Sequence, residues 1–474
     1  MNTFQTAVSR LPNTARYLSK NVRYLSKTAS TLVAISVTCC VWATPNAFAS
    51  SDKVIVESLY PAVMTSTAPS LAMAGDYPVG VTTVMVTNPD QLDVKDFKLS
   101  KDRDLTLEVW YPAKLANNEP LATYDNETRL GKPFSIRSTG VRDAEPDNSQ
   151  ARPLVVLSHG YTGYRTIMYY LGEHLASHGY TVVSIDHTDS TNQDVDFVNS
   201  PFSGFVSTLY NRPRDQQFIL DHAASANNLL VVAGKALNID TDRASVIGFS
   251  MGGYGALNTV GGCYDFTMEH LRNIGFPAPV ALLAAPLLSG CTAGRDAADP
   301  RWQAMVALAP WGQEHDIHQV SKINVPSLII AGEKDDISGY EPGVKTLFDA
   351  LPANDKFMLV YENARHNVAP HPAPAVAYEV EGDYGHYADP VWSNQIMNMI
   401  NNHMILAFLD CYIGTESTDA EASEASSNQS RDAACAMLPT RMLATQEKNE
   451  EGEMSKPWPG FIDRWSVGMQ FHRK

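Results

Sequence analysis

The residues best suited to chemistry lie in Gly248-Phe249-Ser250-Met251-Gly252, which follows the apolar run Ser245-Val246-Ile247 and precedes Gly253-Tyr254-Gly255. A strand running into Gly-x-Ser-x-Gly must turn tightly into a helix. The serine takes strained backbone angles there, and the flanking glycines remove β-carbons that would collide. Its hydroxyl is then presented above the sheet as a nucleophile for acyl transfer, and the N-terminus of the following helix favours developing negative charge. The pentapeptide alone is only suggestive. The apolar strand before it and the small residues after it give it weight.

A serine nucleophile needs a base, and in a strand-turn-helix setting of this kind the chain order is serine, acid, histidine. Residues 327–330 read as an apolar strand followed by Ala331-Gly332-Glu333-Lys334-Asp335-Asp336, which places an acid at a strand's carboxyl end. Residues 357–360 read as the next strand, and His366 lies in the loop after it. His366 is expected to take the serine proton and return it to the leaving group, while Asp335 holds the ring's tautomer. Asp336 is the rival acid, and whichever of the two is not catalytic is an ordinary solvated carboxylate. The oxyanion formed by attack must meet backbone N–H groups. One is expected from Met251 and the other from Tyr161, in Ser158-His159-Gly160-Tyr161-Thr162-Gly163 after the first buried strand. His159, beside that tight turn, reads as a structural hydrogen-bonding residue rather than a base.

The other histidines, among them His187, His371, His386 and His403, have no zinc-like spacing. The glycines around Ser250 follow the serine-elbow pattern, not a dinucleotide or phosphate loop. Neither a metal nor another cofactor is expected.

These groups need a frame. Residues 154–157, 180–185, 245–247, 305–308, 327–330 and 357–360 are short and apolar throughout, as expected of strands covered on both faces. The fold class that follows is α/β, a mostly parallel central sheet with helices on both sides and the site at the strands' carboxyl ends. Residues 81–86 and 105–111 read as antiparallel edge strands. Residues 119–152 read as a long polar loop, residues 169–178, 215–236 and 392–409 as helices, and residues 263–302 as loops and short helices near the pocket.

Composition bounds the rest. Arg10, Arg16, Lys20, Arg23 and Lys27 precede an apolar run over residues 31–43 that ends in Ala47-Phe48-Ala49, so residues 1–49 read as a secretory signal, shorter in its apolar part than a membrane span. Removing these five basic residues would lower the formal net charge of −16 by five, to −21. Such a surface repels phosphate backbones, making nucleic acid an unsuitable partner. A periplasmic or secreted location without a stable membrane anchor is expected. Four cysteines remain, Cys263, Cys291, Cys411 and Cys435. Three pairings are possible. Cys263 with Cys291 and Cys411 with Cys435 are preferred because each closes a short local loop, the alternative being free buried thiols. Residues 50–413 read as the catalytic domain and residues 414–474 as an acidic linker and C-terminal extension. In that extension residues 414–430 have little to bury, and Trp458, Phe461, Ile462, Trp465 and Phe471 read as a strand or hook folded back on the body.

Over residues 80–414 the chain resembles bacterial platelet-activating factor acetylhydrolase-like, or dienelactone-hydrolase-like, members of the α/β-hydrolase superfamily. The landmarks are Glu108-Val109-Trp110-Tyr111-Pro112, Pro153-Leu154-Val155-Val156-Leu157-Ser158-His159-Gly160, His174-Leu175-Ala176-Ser177-His178-Gly179-Tyr180, Arg212-Pro213 with Asp215, the Ser250 elbow and His403. It is also similar to cutinase-like polyester hydrolases in Gly160-Tyr161-Thr162, in Ala309-Pro310-Trp311 and in Val325-Pro326-Ser327-Leu328-Ile329-Ile330 leading to Asp335. That similarity implies substrate contact for Tyr161 and Trp311 and supports Asp335 over Asp336; a packing role is the alternative for Trp311. The long 263–302 segment and the acidic tail depart from both groups. The resemblance implies a carboxylic ester hydrolase acting through an acyl-enzyme, on short acyl esters first and on lipid or polyester esters as the alternative. A non-catalytic binding protein on the same fold is the remaining reading.

Overall fold

A computed structural model describes residues 54–60, 66–94, 100–225, 230–273, 275–291, 298–312, 320–352, 355–414, 424–444, 448, 451–452, 454 and 456–474, except 116–118. Residues 1–49, read as a secretory signal, lie outside this set. The strands that matter for the site are β1 (Val79–Leu92), β2 (Ser100–Lys114), β3 (Leu121–Glu127), β4 (Pro133–Arg142), β5 (Arg152–Ser158), β6 (Thr181–Asp186), β7 (Ile239–Phe249), β8 (Trp302–Leu308), β9 (Ser327–Gly332), β10 (Lys356–Tyr361) and β11 (Met469–Arg473). They join in the order β4-β1-β2-β6-β5-β7-β8-β9-β10-β11. The run from β6 to β10 is parallel, while β2 at one end and β11 at the other pair antiparallel.

Why these segments are strands follows from their burial. Every residue of β5 is buried, and alternate residues serve two different cores. Val155 and Leu157 pack with α1 (Tyr169–Ser177) and with the long helix at Asn394–Ile413. Leu154 and Val156 pack with α2 (Phe205–Ala224) and α3 (Met251–Thr259). A sheet covered on both sides has no polar face to show, hence the apolar runs. This is the α/β-hydrolase fold.

Three segments differ from the sequence expectation. Residues 119–152 are not a loop: β3 and β4 form an antiparallel hairpin. Ala122, Tyr124, Phe134 and Ile136 point inward from it, and the outward residues made the composition look loop-like. The helix expected over residues 215–236 is α2, starting ten residues earlier and ending at Ala224. Pro213 sits inside it. Proline cannot donate to Leu209 O four residues back, and the Tyr254 hydroxyl takes that carbonyl instead at 3.1 Å. Beyond α2 the chain reverses as a small hairpin, Val231–Val232 against Lys235–Ala236, through Ala233 and Gly234 with positive φ.

The third difference is at the C-terminus. Residues 414–430, read as a linker, include the start of a helix, Glu424–Cys435, held to the body by a disulfide between Cys411 and Cys435. Farther on, β11 pairs with β10, and Trp458, Phe461 and Phe471 are buried, whereas Ile462 and Trp465 are exposed. A second disulfide joins Cys263 and Cys291. Between these two cysteines α4 (Met268–Asn273) and α5 (Ala278–Leu288) pack Leu271, Ala281, Ala284 and Leu288 against Met251, Tyr254 and Trp311. Among the described residues no helix is long and apolar enough to cross a membrane.

Candidate active site

Ser250 stands between β7 and α3 with φ 54° and ψ −114°. Such backbone angles cost about 1–3 kcal/mol for a non-glycine residue and persist only where the surroundings enforce them. Here they are enforced by hydrogen bonds: Ser250 N–H donates to Leu308 O at 2.9 Å, and Ser250 O accepts from Trp311 N–H at 3.0 Å. The turn also needs Gly252 without a side chain, since a β-carbon there would lie 2.0 Å from Ser158 O. This close approach sets α3 against the end of β5, the strand that leads into the Gly160-Tyr161 loop.

His366 reaches the serine from the loop after β10. Its Nε2 lies 2.9 Å from Ser250 Oγ, and its Nδ1 lies 2.9 Å and 3.1 Å from the two Asp335 carboxylate oxygens. The tautomer that suits this chain has Nδ1–H donating to Asp335 and Nε2 accepting from the serine hydroxyl. Asp335 is buried, and its Oδ1 also accepts the N–H groups of Ile337 and Ser338, each at 2.9 Å. Those donors hold the carboxylate still. The loops carrying Asp335 and His366 are locked together at Gly332, where a β-carbon would meet Arg365 O at 2.0 Å, and Lys334 N–H donates to Ala364 O at 2.8 Å. The Phe249 ring lies against the imidazole, 5.2 Å between centroids. Asp336 points elsewhere, into a partly exposed ion pair with Arg365.

The loop after β5 brings Gly160 against the elbow: a β-carbon built on Gly160 would be 3.2 Å from Ser250 Cβ. Met251 N–H belongs to the first turn of α3, whose donors have no partner within the helix. Among the described residues neither that N–H nor Tyr161 N–H is given to a protein acceptor. The two groups are therefore open donors beside the serine. The Tyr161 ring packs edge-on to Phe205, 5.6 Å away, and its hydroxyl donates to Pro201 O at 2.8 Å. Burial pushes that hydroxyl's pKa above its ordinary value. Trp311 is largely buried, with edge contacts to Phe205 and Tyr254.

Beneath this loop lies a buried polar layer in which the sequence marked His159 as a structural hydrogen-bonding residue and gave its neighbours no role. His159 is fully buried and held neutral, its pKa driven down first by burial and then by Arg212. Its Nε2 accepts His187 N–H at 3.2 Å. His187 Nε2 meets Ser158 Oγ and its Nδ1 meets Asp215, each at 2.8 Å. Burial alone would raise Asp215, yet Arg103, which binds both its oxygens at 2.8 Å, holds it well below the ordinary range. Arg129 reaches Tyr161 O at 3.1 Å and Thr162 Oγ1 at 3.2 Å. Besides His159, the sequence signal for this layer was Arg212-Pro213 with Asp215, landmarks without a role. Among the described residues no group of three or more His, Cys, Asp or Glu side chains is placed to hold a metal ion.

A family model described as PET hydrolase-like matches residues 144–262 and 285–380. The break between the two parts falls within the segment closed by Cys263 and Cys291. The chain is 28% identical over 224 residues to cutinase est2 of Thermobifida alba, covering 47% of this chain and 55% of that protein. It is 26% identical over 213 residues to bis(hydroxyethyl) terephthalate hydrolase of Streptomyces coelicolor, covering 45% and 49% respectively. It thus spans about half the length of these curated relatives. Among solved structures, a ferulic acid esterase from Streptomyces cinnamoneus aligns with a TM-score of 0.47 at 19% identity, over 74% of this chain and 95% of that one.

Proposed function

We propose that this chain, an α/β-hydrolase with cutinase-like similarity, is a carboxylic ester hydrolase that works through an acyl-enzyme on Ser250. The observation that carries the reading is the hydrogen-bonded series from Ser250 Oγ through His366 to Asp335. In it His366 Nε2 takes the hydroxyl proton as the serine oxygen attacks the ester carbonyl, and Asp335 stabilises the imidazolium that forms. The carbonyl oxygen becomes an oxyanion facing the N–H groups of Met251 and Tyr161. The ring proton then passes to the departing alkoxide, and a water deprotonated by the same Nε2 releases the acid.

The substrate class proposed is short acyl esters. A second reading, polyester or cutin-type esters, is favoured by the PET hydrolase-like match and by the aromatic group of Tyr161, Phe205 and Trp311 beside the serine. Two disulfides support a location outside the cytoplasm, where such bonds persist. The test is turnover of aryl esters of graded acyl length beside a polyester film, by wild type and Ser250→Ala. Loss of about 10⁴-fold or more in the folded variant is expected. Unchanged turnover would sink the proposal, as would failure of a fluorophosphonate to label Ser250.

A further inference from the structure

Arg212 on α2 is fully buried, yet its shortest hydrogen bonds go to two main-chain carbonyls and a hydroxyl, with longer contacts to Ser158 Oγ at 3.5 Å and His159 Nδ1 at 3.4 Å. Nη1 donates to His159 O, and Nη2 donates to Gly160 O at 3.1 Å and to Ser190 Oγ at 2.9 Å. The carboxylate nearby, Asp215, has both oxygens bound by Arg103 and one of them also by His187. Among the described residues no carboxylate is hydrogen-bonded to the Arg212 guanidinium. Burying a cation carries a desolvation penalty that dipoles alone offset only with good geometry. Burial draws its pKa down to about 9, so it stays charged at neutral pH. A charge kept in so costly a place, spent on two consecutive carbonyls of one loop, calls for a reason.

The reason lies in the peptide plane. The Gly160-Tyr161 bond is trans, and in a planar trans peptide the C=O and the following N–H point in opposite directions. Gly160 O is held from one side by Arg212 Nη2 and by His159 Nδ1, the latter at 2.6 Å. Tyr161 N–H is therefore turned away from α2. Gly160 itself lies against the elbow, where a β-carbon built on it would be 3.2 Å from Ser250 Cβ.

We infer that Arg212 is a positioning residue for the oxyanion hole, fixing the Gly160-Tyr161 peptide so that Tyr161 N–H is aimed at the developing oxyanion. This rests on the esterase reading above. A purely structural arginine would support folding without favouring the transition state over the bound ester.

The experiment compares wild type, Arg212→Met, Arg212→Lys and Ser250→Ala on p-nitrophenyl acetate, with the rates of the three forms that keep Ser250 normalised to sites titrated by a fluorophosphonate. Arg212→Met should lose about 10²-fold in kcat, the scale of one oxyanion donor, with KM within about threefold. Arg212→Lys, a point charge that cannot span both carbonyls, should lose about tenfold. Affinity for a phenylboronic acid, whose tetrahedral adduct places an oxygen in the oxyanion position, should fall by the same factor as kcat. A kcat per titrated site within twofold of wild type in Arg212→Met, or in Arg212→Lys where the methionine variant does not fold, overturns the inference. Unchanged boronate affinity does the same. Active Ser250→Ala would instead defeat the esterase reading, whereas an inactive Ser250→Ala beside fully active Arg212 variants defeats the role of Arg212 alone.

Discussion

Replacing Gly252 with alanine pushes apart two backbone segments whose contact shapes the proposed oxyanion site. The new β-carbon would lie 2.0 Å from Ser158 O, 2.6 Å from Ser158 C and 2.9 Å from His159 O, whereas ordinary contact begins near 3.4 Å. All three neighbours are main-chain atoms, so no side chain can rotate away. The start of α3 and the end of β5 must separate by about 1.4 Å to relieve the contact. Overpacking of this kind costs about 1–3 kcal/mol of stability. The larger effect is on rate, because Met251 N–H travels with α3 and Tyr161 N–H with the loop after β5. A displacement near 1 Å of groups that must converge costs on the order of 10²-fold, and the loss should appear in kcat rather than KM. The assay is aryl ester kinetics with fluorophosphonate titration, alongside urea denaturation. Gly382→Ala is the control, since a β-carbon there meets nothing within 4 Å. A Gly252→Ala protein that turns over within threefold of wild type would refute the reasoning.

Asp335→Asn should lower kcat by about 10³- to 10⁴-fold, because the amide no longer enforces the imidazole tautomer. Asp336→Asn breaks only the partly exposed pair with Arg365 and should cost at most about 1 kcal/mol in urea denaturation, with kcat little changed. Equal losses of activity in the two variants would contradict the assignment of the acid. Asp410, whose carboxyl accepts the Tyr180 hydroxyl at 2.6 Å, is raised by burial to about 6. Its folded form binds the proton more tightly than the unfolded chain does, so its contribution is complete below about pH 4 and is lost as pH rises through about 6. Relative to Asp410→Asn, wild type should therefore lose up to about 3 kcal/mol between pH 4 and pH 7, and a difference independent of pH would refute this. Truncation after residue 467 removes β11 and the burial of Met469 and Phe471, each worth about 1.5–3 kcal/mol. It also bares the edge of β10, so light scattering should show association absent from the full chain.

The parts of the site that were legible in the sequence share one property: each residue proposed to react follows an apolar strand at a short, fixed distance. Ser250 directly follows β7, Asp335 comes three residues after β9, and His366 comes five after β10. Local pattern suffices there because strand and loop are contiguous. Tyr124 and Ile136 illustrate what pattern could not reach. They alternate with polar residues at the open end of the sheet, where outward positions face water and the average composition reads as loop. Arg103, Arg129 and Arg212 were opaque for a different reason. An arginine in sequence reads as solvated surface, and only the tertiary fold reveals that these three converge on the layer beneath and around residues 159–162. The early start of α2 was hidden by Pro213, whose cost is offset by a tyrosine forty-one residues later, beyond any local window.

This division has a counterpart in the comparisons. Tyr161, Ser250, Met251, Trp311, Asp335 and His366 all fall within the stretches matched by the PET hydrolase-like model. Much of what braces them falls outside. Arg103 on β2 fixes Asp215, and Arg129 after β3 holds the Tyr161 carbonyl. At the other end of the sheet β11 pairs with β10, the strand that leads to His366, and Glu362 N–H donates to Gly468 O at 2.9 Å. The groups proposed to react need angstrom precision, and part of it comes from within their loops, where Asp335 Oδ1 accepts Ile337 and Ser338 N–H. The rest comes from neighbours, here the antiparallel strands at one edge and the C-terminal strand at the other. The flanking sequence is in this sense part of the site, and shortening the chain to its matched core would leave the same six side chains with less to hold them in register.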